Sequence, residues 1–263
     1  ISSFADHAAA FHRDGFAIVR GVLDAGLVAE MQEHVKFLTD KFPTVPPEHL
    51  HHTLMRNDPF WVRVLADPRL LELGQAMAPF LSPDVALFSS HIFCKPPRTG
   101  SAVLWHQDGS YWPLRPMDVL TLWVAVNDST ADNGCLRVVK GSHTLELAEL
   151  VKDDTADNVL SSATHTDEDI AALGLEVVNL ELAPGDVSIH HPAIIHGSNA
   201  NTSPTQRCGV TVRYMAPSTV CLNPDQPVMM LRGDITGANP WRSWPKYRPG
   251  YDFPFEGADG WNA

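Results

Sequence analysis

The chain has 263 residues, of which 44% are hydrophobic and 19% are charged, and this composition is typical of a water-soluble globular protein. The formal net charge of −12 argues against nucleic acid as a partner, because duplex binding requires a basic face that replaces counterions. No apolar run reaches the roughly 18 residues of a membrane span and no signal peptide is recognisable, so we expect a cytoplasmic protein that does not bind membranes.

The first 82 residues predict a mostly helical N-terminal part with one short strand at residues 16–20. Asp24 is suited to cap a helix whose apolar residues recur at helical spacing. Those apolar residues are Leu27, Val28, Met31, Val35 and Leu38. Two further helices are predicted at residues 59–66 and 68–79, because an Asp precedes a Pro at the start of each.

Residues 83–217 consist mainly of short strand-like runs separated by turns. The predicted strands are residues 85–94, 102–106, 119–126, 136–139, 177–182, 187–190 and 207–215. Many short strands with Gly/Pro turns between them favour an antiparallel sandwich or barrel. We therefore predict a mainly β fold with flanking helices.

Two segments lack this pattern. Residues 144–175 contain eight acidic residues and one lysine, and we interpret them as a partly helical insertion or lid. Residues 218–263 are rich in Pro, Trp and Gly, and are predicted to wrap the surface. We expect residues 1–263 to form a single domain that is a monomer or a weak homodimer.

The four cysteines predict reduced thiols. They form no CxxC pair and are scattered along the chain at Cys94, Cys135, Cys208 and Cys221. Disulfide-dependent domains are usually short and rich in cysteine, unlike this chain. This agrees with a cytoplasmic enzyme.

The strongest chemical signal is a metal-binding pattern. His106 and Asp108 are two residues apart, and side chains with this spacing on a strand point to the same face. His196 is the best candidate for a third ligand. Two histidines and one carboxylate on one face of an ion form the facial triad of non-haem Fe(II) oxygenases. The pair at 106 and 108 is weak evidence alone, because such pairs occur by chance.

The surrounding motifs resemble the phytanoyl-CoA dioxygenase family of Fe(II)- and 2-oxoglutarate-dependent oxygenases. The resemblance is strongest over residues 91–214, where several motifs follow in the family's order. The motifs are Lys95-Pro96-Pro97, His106-Gln107-Asp108, Tyr111-Trp112-Pro113 with Arg115-Pro116 and Asp118, Thr121-Leu122-Trp123-Val124-Ala125, Asn133-Gly134-Cys135-Leu136, Gly141-Ser142-His143, Pro184-Gly185-Asp186, His196-Gly197-Ser198-Asn199, Arg207 and Arg213-Tyr214.

The resemblance implies a double-stranded β-helix core, the cupin-like jelly-roll of two antiparallel sheets. It implies that His106, Asp108 and His196 hold Fe(II), with 2-oxoglutarate and O₂ as co-substrates. Arg207, eleven residues after His196, would bind the distal carboxylate of 2-oxoglutarate. A planar guanidinium is well suited to such a carboxylate.

Three more co-substrate residues follow from the resemblance. Ser198 matches the position that hydrogen-bonds the same carboxylate, and Trp123 matches one that lines the co-substrate pocket. His91 occupies another lining position with a different side-chain type. Related halogenases replace the carboxylate ligand by Ala or Gly, so the presence of Asp108 favours hydroxylation or a related oxidation.

Four residues are candidates for substrate contact. Tyr111 and Trp112 follow the metal motif and could form a substrate wall or pack in the core. Lys95 and Arg115 could bind an anionic substrate group or be surface charges. The sequence contains no motif that selects one substrate class.

Several neighbouring residues have simpler interpretations. Trp105 alternates with His106 and should point away from the metal. His190 and His191 are interpreted as structural, and Arg213 as one partner of a structural ion pair.

The sequence thus predicts a dioxygenase that hydroxylates an unactivated C–H bond of a small metabolite, with release of succinate and CO₂. An amino acid, an acyl chain or a natural-product intermediate would each be a suitable substrate. One alternative is a cupin-type hydrolase or isomerase that uses Zn²⁺ in the same triad without 2-oxoglutarate. The other is a non-catalytic jelly-roll binding module.

Overall fold

The described residues of the N-terminal part form four helices and one strand. In the computed structural model, which describes residues 4–46, 58–152 and 159–255, the elements are α1 (Phe4–Asp14), β1 (Phe16–Val19), α2 (Ala25–Lys41), α3 (Pro59–Leu65) and α4 (Pro68–Met77). The carboxylates of Asp24, Asp58 and Asp67 cap the last three helices by accepting backbone N–H groups of the first turn. The predicted helices are confirmed.

The rest of the chain is built mainly of strands. They are β2 (Val85–Lys95), β3 (Val103–His106), β4 (Leu114–Arg115), β5 (Val119–Ala125), β6 (Leu136–Val139), β7 (Val151–Lys152), β8 (Ser162–Ala163), β9 (Val177–Leu180), β10 (Val187–His190), β11 (His196–Ser198), β12 (Arg207–Met215), β13 (Val220–Cys221) and β14 (Met229–Arg232). A six-stranded sheet has the order β1-β10-β5-β12-β2-β14, and a four-stranded sheet has the order β3-β11-β6-β9. Every pairing in both sheets is antiparallel, as predicted for a jelly-roll.

Side-chain alternation on the larger sheet separates the hydrophobic core from the interior of the jelly-roll. On β12, Val210 and Val212 join the core that the helices cover. Arg207, Thr211 and Arg213 lie on the opposite face and line a cavity between the sheets. Because successive side chains of a strand point to opposite faces, β12 can supply both a core and a polar site.

The insertion and the tail are more structured than their sequences indicate. Within the insertion, β7 pairs with β8, and α5 (Asp167–Leu173) follows with a capping box formed by Thr166 and Asp169. In the tail, β14 pairs with β2 and becomes an edge strand of the six-stranded sheet. The tail therefore adds to the sheet as well as covering surface.

The prediction of four reduced cysteines is wrong. Cys94 on β2 lies directly opposite Cys208 on β12, and the two form a disulfide across 114 residues of sequence. Cys135 and Cys221 are free and buried. The pairing depends on strand register, which spacing along the chain does not reveal. Among the described helices, none combines the length and apolar character needed to cross a bilayer.

Candidate metal centre

Two adjacent strands of the smaller sheet bring the predicted metal ligands together. His106 ends β3 and lies opposite His196, which begins β11, while Asp108 begins the short turn after β3. One ligand atom from each residue lies within 4.8 Å of the others. The Nε2 atoms of His106 and His196 are 3.7 and 3.9 Å from the same carboxylate oxygen, Oδ1 of Asp108.

Backbone carbonyls orient both imidazoles. Nδ1 of His106 lies 2.8 Å from the carbonyl oxygen of Leu104, and Nδ1 of His196 lies 3.0 Å from that of Ile194. A carbonyl only accepts, so Nδ1 must carry the proton in each ring. The lone pairs of the two Nε2 atoms are therefore free for a metal ion.

The protonation states also suit metal binding. Burial, and then the neighbouring His196, lowers the pKa of His106 to about 3, and burial lowers that of His196 to about 4. Burial opposes ionisation of Asp108, but the charge of Arg213 and the neighbouring His190 hold its pKa well below the usual value. Two neutral imidazoles and one carboxylate fit the donor set of a non-haem Fe(II) centre.

A cavity beside these ligands is lined by three of the predicted co-substrate residues, Trp123, Ser198 and Arg207. Arg207 is 3% exposed, and one terminal nitrogen donates to the carbonyl oxygen of Gly134 at 3.1 Å. Its Nε is buried and makes no hydrogen bond within the described part of the chain. An anion in this cavity would find a buried guanidinium that no carboxylate of the described residues neutralises.

Trp123 packs against Arg207, with the guanidinium carbon 5.2 Å from the ring centroid. The ring fits because residue 209 on the neighbouring strand is glycine. A Cβ at Gly209 would lie 2.1 Å from a ring carbon of Trp123, closer than real contacts allow.

His91 reaches the site through Arg213. Its Nδ1 accepts a hydrogen bond of 2.7 Å from the Arg213 guanidinium, and His91 does not line the cavity. Arg213 in turn has its Nε 3.6 Å from Oδ2 of Asp108 and lies over the ring of Trp112. The ion pair predicted for Arg213 therefore involves the metal-binding carboxylate.

The sequence interpretation missed a close neighbour of the metal site, His190. Its Nε2 lies 3.7 Å from Oδ2 of Asp108, and the ring lines the cavity. Thr121, which faces His190 across the β5–β10 pairing, donates to the same oxygen at 3.4 Å. The sequence indicated this position only through strand alternation. Because Ile189 points into the hydrophobic core, the side chain of His190 must point to the opposite face, into the interior of the jelly-roll. His191 accepts a hydrogen bond from the backbone of Ala193 instead.

The four predicted substrate residues occupy different environments. The Tyr111 ring is 6.0 Å from that of His106, and its hydroxyl contacts Ser162 of the insertion. Trp112 packs edge-to-face on Phe88. Lys95 is buried and donates to the carbonyl of Asn199, whereas Arg115 is exposed on β4. None of the four residues lines the cavity beside the predicted metal ligands.

A larger cavity, of about 480 Å³, shares Val103 and Ser198 with the first cavity but does not include His106, Asp108 or His196. Trp105 and Arg137 line it, with the guanidinium 4.5 Å from the indole. Trp105 also donates to Asp167 at 2.7 Å, so its predicted orientation away from the metal is confirmed.

Comparison with known proteins places this site in context. The family model described as phytanoyl-CoA dioxygenase matches residues 11–209. Ectoine dioxygenase of Sphingopyxis alaskensis is 28% identical over 237 residues, which cover 81% of this chain and 76% of that protein. Phytanoyl-CoA dioxygenase domain-containing protein 1 of Mus musculus is 29% identical over 185 residues, which cover 68% of this chain and 62% of that protein.

Solved structures share the fold. The non-heme monooxygenase ThoJ in its apo form aligns with a TM-score of 0.74 at 23% identity, over 98% of this chain and 92% of that chain. SnoN, a non-heme alpha ketoglutarate dependent epimerase from nogalamycin biosynthesis, aligns with a TM-score of 0.67 at 23% identity, over 95% of this chain and 96% of that chain.

Proposed function

Because the chain belongs to the phytanoyl-CoA dioxygenase family, we propose that it is an Fe(II)- and 2-oxoglutarate-dependent dioxygenase that hydroxylates an unactivated C–H bond of a small metabolite. One observation carries this proposal. Two neutral imidazoles with free Nε2 atoms and one ionised carboxylate converge beside the buried guanidinium of Arg207, which has no carboxylate partner in residues 4–46, 58–152 and 159–255.

The protein residues hold and orient the reactants. His106, Asp108 and His196 would occupy one face of Fe(II) and leave the opposite positions open. Bound Fe(II), with 2-oxoglutarate and O₂, supplies the oxidising chemistry that inserts one oxygen atom into the C–H bond and releases succinate and CO₂. Burial of the three ligands excludes bulk water from this chemistry.

Arg207 is suited to the distal carboxylate of 2-oxoglutarate. Its guanidinium could form a bidentate pair there, while Ser198 donates a hydroxyl hydrogen bond and Trp123 forms a flat wall. His91 is proposed to act indirectly, because it touches Arg213 and not the cavity.

The substrate is proposed to enter beside Tyr111, which contacts the ring of His106, and Trp112, which packs under Arg213, the neighbour of Asp108. The names of the relatives indicate chemically different substrates, since they include an ectoine dioxygenase and a probable hypophosphite dioxygenase. Amino acids, acyl chains and natural-product intermediates therefore all belong in a screen. We also propose that residues 1–263 work as one domain, because the helices and the larger sheet share one core.

The reaction class is tested by succinate formation with purified protein and a metabolite library. We expect succinate to require both iron and oxygen and to be lost in His106→Ala, because one metal ligand is removed. His165→Ala is the matched control, since that histidine lines the other cavity. Full activity of His106→Ala would contradict the metal assignment.

Two alternatives make different predictions. A Zn²⁺ hydrolase or isomerase would use the same triad. It would gain no thermal stability from 2-oxoglutarate, because its reaction does not require 2-oxoglutarate to bind at Arg207. A binding module would form no succinate with any substrate. Metal analysis and a thermal shift with Mn²⁺ and 2-oxoglutarate distinguish the three.

A further inference from the structure

Gln107, between the metal ligands His106 and Asp108, has an unexpected environment. Its backbone continues the extended conformation of β3, so its side chain points away from the metal. The side chain is 0% exposed. Residues 146–148, which we call the crossing segment, cover it.

The side-chain amide of Gln107 makes three hydrogen bonds, all to backbone groups. Nε2 donates to the carbonyl oxygens of Ala193 at 2.8 Å and Glu146 at 3.3 Å. Oε1 accepts from the backbone N–H of Ala148 at 2.9 Å. Two of the bonds hold the crossing segment, and the third holds the turn that leads to His196.

Other contacts connect the same three segments: the residues around Gln107, the crossing segment and the turn before His196. The Ser110 hydroxyl donates to the carbonyl oxygen of Ala148 at 2.7 Å, so both backbone groups of Ala148 bond to residues 107–110, which we call the metal loop. The methyl groups of Leu147 lie 3.0 and 3.1 Å from the Cβ position of Gly109. The Gly109 N–H donates to the carbonyl oxygen of Pro192 at 2.8 Å.

We propose that Gln107 is a positioning residue that fastens the crossing segment over the metal loop and thereby sets the geometry of the metal ligands. This rests on the metal centre of the proposed function. The groups that hold a ligand's backbone control its orientation and hence its metal affinity. A buried amide also requires its partners, so the crossing segment cannot lift without leaving Gln107 unsatisfied.

Metal binding and ordering of the crossing segment should therefore favour each other, because coupling between two equilibria is reciprocal. A bound metal would fix His106 and Asp108, and Gln107 lies between them. The fixed Gln107 would then keep its hydrogen bond to Ala148. We expect a bound metal to slow hydrogen exchange of the Ala148 amide.

The test compares Gln107→Met with Gln75→Met. Methionine keeps the length of the side chain and removes its amide. Gln75 is the matched control, because its amide donates to the carbonyl oxygens of Leu81 and Pro83 in the helical part. The probe is Co²⁺, titrated by its visible absorption, and amide exchange of Ala148 is followed with and without the metal.

We expect Gln107→Met to raise the Kd for Co²⁺ about 10- to 100-fold and to speed exchange at Ala148, so that added Co²⁺ no longer slows it. Gln75→Met should change neither quantity. A wild-type Kd in Gln107→Met overturns the positioning role, and unchanged exchange overturns the fastening role.

Ser110→Ala provides a second test if Gln107→Met does not fold, because it removes only the other bond to Ala148. We expect faster exchange at Ala148 and a smaller rise in Kd; wild-type values of both would overturn the inference. Failure of the wild-type protein to bind Co²⁺ would instead refute the proposed metal centre.

Discussion

Replacing Arg207 by Met should stabilise the free protein and weaken its binding of 2-oxoglutarate. Burial lowers the pKa of Arg207 to about 10, which means that the fold disfavours the charged form. At about 1.4 kcal/mol per pH unit, this fall corresponds to about 3 kcal/mol of destabilisation at neutral pH. Arg207→Met removes that cost, because a thioether is easily buried.

Two favourable contacts are lost at the same time. The hydrogen bond to Gly134 contributes about 1 kcal/mol, and the contact with the Trp123 ring contributes about 1 kcal/mol more. The net gain in the free energy of unfolding is therefore about 1 kcal/mol. In a protein of this size that corresponds to a rise in Tm of about 2–4 °C.

The effect on 2-oxoglutarate has the opposite sign. Two charge-assisted hydrogen bonds to a carboxylate are each worth about 1.5–3 kcal/mol, so their loss should raise the Kd by about 100- to 10,000-fold. Calorimetry of the free protein gives Tm, and titration of the Mn²⁺-loaded protein with 2-oxoglutarate, without oxygen, gives Kd.

Arg137→Met is the matched control, because Arg137 also lies over an indole but lines the other cavity. It should leave the Kd for 2-oxoglutarate unchanged. An Arg207→Met protein that binds 2-oxoglutarate as tightly as wild type would refute the assignment of Arg207. A clear fall in its Tm would refute the argument that the site carries an uncompensated charge.

Two further predictions concern packing and pH. Gly209→Ala should displace the Trp123 ring, because the new methyl group would overlap it. We expect the free energy of unfolding, measured in urea, to fall by about 1–3 kcal/mol and 2-oxoglutarate binding to weaken. A wild-type free energy of unfolding together with a wild-type Kd would contradict the close contact. Burial, and then His143, lowers the pKa of His191 to about 4, below the ordinary value of 6.5, so the unfolded chain is protonated first on acidification. The free energy of unfolding should therefore fall between pH 6.5 and 4, and His191→Gln should flatten that fall; an unchanged slope would show that other groups cause it.

Local signals in the sequence were sufficient for the elements and for much of the site. Asp24, Asp58 and Asp67 cap helices as predicted, because a cap depends on only three or four consecutive residues. His106 and Asp108 converge because the backbone between them, at Gln107, is extended as in a strand, although β3 itself ends at His106. The position of His196 followed from the resemblance and not from any local pattern.

The features that the sequence does not reveal depend on pairing between strands that are far apart in the chain. The Cys94–Cys208 disulfide and the edge strand β14 depend on which strands are neighbours and in what register. His190 was interpreted as structural because its distance from Asp108 is not visible in the sequence.

The amino-acid sequence by itself determined the helices, the strands and the pair His106 and Asp108, because capping and alternation are properties of short stretches of chain. The jelly-roll class and the third proposed ligand, His196, followed from the order of motifs that the chain shares with its family. Only the tertiary structure decided how those ligands are held. The charge of Arg213 beside Asp108 and the amide of Gln107 under the crossing segment act through space. Such contacts exist only after residues tens of positions apart in the sequence have been packed together.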